Sequence, residues 1–578
     1  MRLILHYMKK YKLLVCINII SVFGFVLTEL GIPTILADMI DFGVSTGNKA
    51  YLYGEGLKMA GISILGVSGT ILLGYCCSKI STNITHDIRK DMYEKIQHFS
   101  HEEYNKFKIA SLITRVNNDA FQIQLFVNVL LRTALMTPVM LITSLFLTYR
   151  SSVQLFSVIF ATIPLIIIGV IVVAKVTGPI SERQQAGLDD MNRISRESLT
   201  GVRVVRAFNR QHTEQEKFLE TNEFFTKNSK ALFMIMQLTQ PIFFLVMNIA
   251  VCRIFYFGAN LVSQNALEVG KMVAFLDYLF HAMMSMMFFC TIFMMYPRAN
   301  VSAKRINAVL NKELSLINDP KTEIVDKDTN TISFNNIGYE KDGKKILDDI
   351  SFEAKTGQTI AIVGSTGSGK STLSKLIPRL FDCTSGEIMY NNTNIKDFDV
   401  EKWREKIGFV AQKAFLFKGT IRSNVCFGKA DATDDEIMEA LELAQATEFV
   451  ASKEDGIDSV IEENAANLSG GQKQRLSIAR AVIRKPDIYI FDDAFSALDF
   501  KTDAALRKAL KPVTKNSIMF IVAQRISTIM DADKILVLNH GKLEAVGTHE
   551  DLMENCPLYK NIAESQIGEE AIDYGEEA

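Results

Sequence analysis

Six stretches of this chain are apolar for about the length that crosses a lipid bilayer, and nothing else in the sequence narrows the possible folds as much. A bilayer core takes about 20 mostly apolar residues as helix. The stretches lie near 13–37, 57–78, 127–149, 153–176, 238–262 and 271–296. Hydrocarbon offers a bare backbone no hydrogen bonds, so each stretch must be helical. Prolines 33, 138, 164 and 241 fall inside or at the edge of these runs. Membrane helices tolerate such breaks where neighbours satisfy the freed carbonyls. Six runs of this length exclude the alternative of buried helices in a large soluble protein. The average composition, 48% hydrophobic and 22% charged, hides a split. Residues 1–300 hold the apolar runs, whereas 320–578 read as an ordinary soluble domain. The length of 578 residues calls for at least two domains.

Basic residues set the orientation. Lys9, Lys10 and Lys12 precede the first run and place the N-terminus in the cytoplasm. The following loop carries Asp38, Asp41 and Glu55 and suits the outside, as does the short turn Tyr149 to Ser152. The long charged segments 79–126 and 177–237 then lie in the cytoplasm as extensions of the spanning helices. Each must turn around at its tip, and Phe107–Arg115 and Asn209–His212 are the expected neighbourhoods of turns or short helices. An even number of spans returns the chain to the cytoplasm for the C-terminal domain.

Three ionisable residues stand out within the spans: Arg253, Asp277 and His281. Charge at membrane depth is costly and faces a cavity or a partner. Asp277 and His281 are four apart and share a helix face. They are expected to line a transport path, with Arg253 or His281 offsetting Asp277, or else to form a structural pair. Methionines 283, 284, 286, 287, 294 and 295 in the same run suit either an adaptable ligand surface or plain helix packing.

Net charge is −2 and no basic stripe appears, which leaves nucleic acid out as a partner. The eight cysteines are scattered, with no metal-ligand spacing, and read as free thiols. The first apolar run is too long for a signal-peptide core. The acidic end, Gly568 to Ala578, reads as a solvated tail.

After Asn311 the pattern changes. A polar stretch, 312–330, contains Asp319-Pro320 and reads as a linker. Beyond it, short β-branched runs alternate with helical ones. The buried strand 358–363 leads into Gly364-Ser365-Thr366-Gly367-Ser368-Gly369-Lys370-Ser371-Thr372, followed by a helical run. This is the phosphate-binding loop in its strand–loop–helix setting. Its amides curl around phosphates, Lys370 reaches the terminal ones and the Ser371 hydroxyl binds Mg²⁺. A second apolar strand, 488–491, ends in Asp492-Asp493, with Asp492 on the Mg²⁺ side. The expected divisions are a membrane domain over 1–311, a linker over 312–330, an α/β nucleotide-binding domain over 331–567 and a tail over 568–578.

Between these motifs lies Leu468-Ser469-Gly470-Gly471-Gln472. With this pentapeptide the chain resembles the ATP-binding cassette (ABC) exporters, and the resemblance runs through its whole length. It implies an all-α membrane domain of six helices followed by one cassette. Tyr339 resembles the residue that stacks on adenine. Gln412 resembles the glutamine that joins Mg²⁺ to the membrane domain. Ser496 to Asp499 resembles the loop that contacts the opposite cassette, and Glu463 sits where exporters carry a coupling segment. Arg115 with Asp119, and Glu197 with Gly201, fit the cytoplasmic loops of multidrug-type exporters. The resemblance implies that two chains sandwich two ATP molecules, each held by one chain's phosphate loop and the other's signature. It also implies a bacterial plasma-membrane location with both termini inside.

Two positions depart from the family. Where active cassettes carry glutamate after the strand aspartate, this chain has Asp493. Where they carry histidine, it has Gln524. Aspartate is shorter by one methylene, roughly 1.5 Å, and a displacement of about 1 Å can cost on the order of 10²-fold in rate. Glutamine cannot carry the charge of an imidazolium. The signature, by contrast, is intact. The expectation is a heterodimeric exporter of small amphipathic molecules. This chain supplies a slow ATP site and completes the partner's. Lipid or peptide export, or a regulatory ATP-sensing subunit, remain alternatives.

Overall fold

The computed structural model describes residues 2–573, without the side chains of 170, 174, 290, 291, 293, 294 and 567–573. The sequence-marked side chains of Cys290 and Met294, and the tail beyond Asp573, lie outside the described residues. Among those described, six helical stretches are long and apolar enough to cross a membrane. They run Arg2–Val44, Lys49–Gln97, Ile109–Ser151, Val153–Thr200, Gln211–Ser263 and, within the helix Val269–Leu310, Val269–Phe289. The first packs against the second, the third against the sixth and the fourth against the fifth.

Small residues make the first contact close. Gly24 and Gly69 face each other, and a methyl group added at Gly66 would collide with Thr28. Thr28 Oγ1 donates back to Gly24 O (3.1 Å) and toward Ile62 O (3.4 Å). Within lipid there is no hydrophobic gain from pairing helices, so such backbone approach is what holds them. Polar groups add to it. Asn18, fully buried, donates to Leu131 O at 3.0 Å and accepts from Cys77 Sγ.

The two long charged segments turn in the neighbourhoods expected for turns or short helices. The second helix ends at Gln97. Ser100 and Glu103 form a capping box that starts a short helix, His101–Phe107. Lys108, at φ 61°, breaks the chain before the next short helix, Ile109–Thr114, one of the two forms expected there. The other extension turns at Asn209, at φ 51°.

Contacts divide the chain into two compact units: 1–97 with 109–312, and 98–108 with 313–578. Segment 98–108 therefore departs from the membrane domain expected over 1–311. Glu103 accepts from Ser315 N at 2.9 Å. Stretch 312–330 contains no helix or strand, yet it is not a loose linker. Arg379 donates to Ile317 O, Lys321 N to Asp397 O and Asn391 to Val325 O. At the other end, the last helix continues to Asp573, so the start of the predicted tail is helical.

The second unit is built on a six-stranded sheet in the order 542–547, 534–539, 359–364, 518–522, 488–492, 407–410. All neighbours are parallel except the first pair. Parallel strands covered on both faces must be apolar throughout, and every residue of Ile488–Asp492 is buried. A four-stranded antiparallel sheet, in the order 344–355, 331–341, 385–390, 393–394, packs beside it. The ends of strands 359–364, 488–492 and 518–522 come together in register, and the phosphate loop, Asp492, Asp493 and Gln524 follow from that edge.

Candidate functional site

The strand Thr359–Gly364 hands over to the helix Lys370–Leu376 through the phosphate loop. Two glycines make the loop possible. A side chain at Gly364 would strike Leu538 O and Ser368 Oγ, and Gly369 takes φ 98°. Lys370 Nζ folds back and donates to the carbonyls of Gly364 (2.7 Å) and Ser365 (2.8 Å). Burial pulls its ammonium below the ordinary lysine range, although Asp493 and Asp492 oppose the shift. An ammonium short of water is well placed to accept an anion. Ser368 Oγ is buried without a hydrogen-bond partner among the described residues, while Ser365, Thr366 and Gly367 form the exposed rim. Thr372 N closes the loop onto Gly369 O at 3.0 Å.

Ser371 Oγ donates to Asp492 Oδ1 at 2.8 Å. A hydroxyl and a carboxylate side by side at the end of a phosphate loop form the hard-oxygen set that suits Mg²⁺. The donors present fit that ion, and Ser371 and Asp492 would hold it.

Asp493 adopts φ 54°, and its backbone is tied to Val522 O (2.9 Å) and Ser496 Oγ (2.9 Å). Its carboxylate Oδ2 accepts from Gln412 Nε2 at 2.9 Å and from Gln524 Nε2 at 2.8 Å. The two residues that depart from the family pattern are thus bonded to each other, and the glutamine assigned to Mg²⁺ spends its amide on the same oxygen. Burial raises the Asp493 acid above the usual aspartate range, opposed by the amide bond from Gln412 and aided by Asp492. Gln524 is itself held. Gln566, on the last helix, donates to Gln524 O (2.6 Å) and accepts from Ile526 N (2.8 Å). Sequence reasoning missed Gln566, because a lone glutamine in a polar helix carries no motif.

The signature opens the helix Gly470–Val482. Ser469 caps it: its side chain accepts from Gln472 N (3.3 Å), and its own N–H donates to Gln472 Oε1 (3.0 Å). Leu468 is buried in the core, whereas Ser469 and Gly470 are exposed and Gly471 lies 3.4 Å from Ala497 O as a side chain would measure it. Asp499 caps the next helix through Thr502 N (3.0 Å). Tyr339 packs on Phe381, with ring centroids 4.6 Å apart.

In the membrane unit, His281 Nε2 stands 3.8 Å from Asp277 Oδ2 and 3.5 Å from Glu29 Oε2. Arg253 is exposed and forms no ion pair among the described residues. His281 alone of the two expected candidates therefore adjoins Asp277. Glu29 was missed, although an acid inside the first apolar run was itself the signal.

Two family models match the chain: the ABC transporter transmembrane region over residues 15–287 and the ABC transporter model over 347–496. The ABC transporter ATP-binding protein YfiB of Bacillus subtilis (strain 168) is 35% identical over 570 residues, covering 98% of both chains. Rv1273c of Mycobacterium tuberculosis (strain H37Rv), described in the same terms, is 34% identical over 570 residues, again 98% of both. A solved bacterial Atm1-family ABC exporter with ATP bound shares the fold, with a TM-score of 0.79 at 21% identity, over 95% of this chain and 97% of that one.

Proposed function

Since the chain belongs to the ABC exporters, as a multi-pass membrane domain fused to one ATP-binding cassette, we propose that it is the slow-site half of a heterodimer that exports small amphipathic molecules. Half-transporters of this architecture are transport ATPases that act as dimers. The observation that carries the heterodimer reading is the carboxylate of Asp493, held on one oxygen by Gln412 and Gln524.

An aspartate in this position starts roughly 1.5 Å short of where a glutamate would reach. Its two amide bonds hold it back in the loop. General-base or water-orienting work needs the carboxylate within hydrogen-bond reach of the attacking water, and an oxygen already accepting two bonds is poorly placed for it. Gln524 supplies a neutral amide where an imidazolium would supply charge. Mg²⁺ bound at Ser371 and Asp492 would screen charge between phosphates, and Lys370 would bind them. The site is thus equipped to hold ATP and poorly equipped to split it.

The signature supports the complementary half of the reading. Ser469 stays exposed and pre-aimed by its cap, and Gly470 leaves open space beside it. In a sandwiched dimer this surface serves the partner's nucleotide.

Asymmetric substitution tests the proposal. In the reconstituted heterodimer, Asp493→Ala should leave ATP hydrolysis within about twofold of the unsubstituted level, since this site contributes little. Ser469→Arg should lower it by on the order of 10²-fold, as loss of one group that contacts the reacting phosphate does. Rapid hydrolysis by this chain alone would sink the heterodimer reading.

A further inference from the structure

A cavity of about 540 Å³ opens in the membrane unit between the first, fifth and sixth spans. Its volume falls within the range of small-molecule sites, about 300–1,000 Å³. The wall is apolar: Pro33 and Leu36 from the first span, Met247 and Val251 from the fifth, Phe280 from the sixth. Asp277 is the one charged residue lining it.

Asp277 is not neutralised by what surrounds it. His281 lies one turn further along the same helix and meets Asp277 at 3.8 Å, but it also meets Glu29 at 3.5 Å. Glu29 precedes Pro33 by one helical turn, so it lies on the face of the first span that lines the cavity. Two carboxylates therefore share one imidazole. With both ionised, even an imidazolium leaves one negative charge over, and a neutral imidazole leaves two. Arg253 does not supply the difference. It is two residues from Val251, which places it about 200° around the helix, and it is exposed with no ion pair among the described residues. An uncompensated carboxylate at membrane depth is expensive, and a cation arriving with its own apolar body would remove that cost.

Resting on the export reading, we propose that this cavity is a binding site for amphiphiles that carry one positive charge. The cation sits at Asp277 with Glu29 behind it, and the apolar body lies on Pro33, Leu36, Met247, Val251 and the Phe280 ring. An aromatic wall beside a carboxylate adds a further attraction for a cation. Neutral and anionic amphiphiles of the same shape gain the wall without the charge.

Tetraphenylphosphonium and tetraphenylborate present nearly the same apolar surface with opposite charge. Protein-dependent binding of each is measured to the full chain in phosphatidylcholine nanodiscs, with empty discs subtracted. The phosphonium should bind the more tightly, and Asp277→Asn and Glu29→Gln should each weaken it about tenfold, a step of about 1.4 kcal/mol. Asp277→Glu should retain most of the binding, and ATP affinity should be unchanged in all three. If Asp277→Asn does not fold, Glu29→Gln carries the test. Equal binding of the two ions, or phosphonium affinity unchanged in the folded variants, would overturn the proposal. ATP-driven movement of neutral or anionic amphiphiles by the reconstituted dimer, with the phosphonium ignored, would overturn the site while leaving the export reading intact. Phosphonium binding that follows the predicted variants, with no amphiphile of any charge transported, supports the site and overturns the export reading.

Discussion

Asp493 concentrates most of what distinguishes this cassette, and its neighbours allow sharp expectations. Asp493→Glu lengthens the side chain toward the space a water must occupy. Combined with Gln524→His, it should raise hydrolysis by the chain's own site about 10²-fold, the scale of an approximately 1 Å repositioning. Single-turnover ATP cleavage measures this directly. A second expectation concerns pH. Burial raises the Asp493 acid in the folded chain above its ordinary value of 3.8. A raised acid adds stability below the unfolded value and withdraws it as pH rises through the folded one. Asp493→Asn keeps an acceptor for both amides and removes the titration. Its melting temperature should therefore gain on the parent as pH rises from about 3.8 toward neutrality, and a gap that narrows instead would contradict the burial argument. The departures at 493 and 524 were legible one by one, because each sits at a fixed offset within a motif. Their bonding to each other was not. Gln412 and Gln524 lie 81 and 31 residues from Asp493, and only the register of three parallel strands brings them to one oxygen.

Among the elements, the spanning helices show how much a pattern can and cannot say. Apolar length was enough to find all six and to set their order. It says nothing about which faces touch. Gly66 and Gly61 are both glycines on the second span, yet a side chain at Gly66 meets Thr28 whereas one at Gly61 meets nothing within 4 Å. Gly66→Leu should destabilise the membrane unit by about 1–3 kcal/mol through overpacking. Gly61→Leu should be nearly silent. Thermal unfolding in detergent, compared between the two variants, checks the contrast. The short helix 101–107 was legible in principle, since Ser100 and Glu103 have capping-box spacing. It was obscured because the charged run around it reads as one continuous helix. Ser100→Ala should cost about 1 kcal/mol of local stability, visible as faster amide exchange over 101–107.

For the molecule as a whole, binding and stability are coupled through the phosphate loop. A nucleotide that binds the folded cassette at about 100 times its Kd adds about 2.7 kcal/mol. Lys370→Ala should abolish most of the ATP-induced rise in melting temperature while leaving the melt without nucleotide close to the parent's, because its partners are two loop carbonyls. The division of labour between membrane and cassette was legible from composition alone. The allegiance of segment 98–108 was not, because it depends on Glu103 meeting Ser315, more than two hundred residues away. The same is true of the last helix, whose Gln566 grips the backbone at Gln524 and Ile526. That grip has a practical side for anyone who handles the protein. Any truncation that removes Gln566 takes away both hydrogen bonds that hold the segment carrying Gln524. Rates measured on versions shortened before Gln566 would therefore describe a differently timed machine.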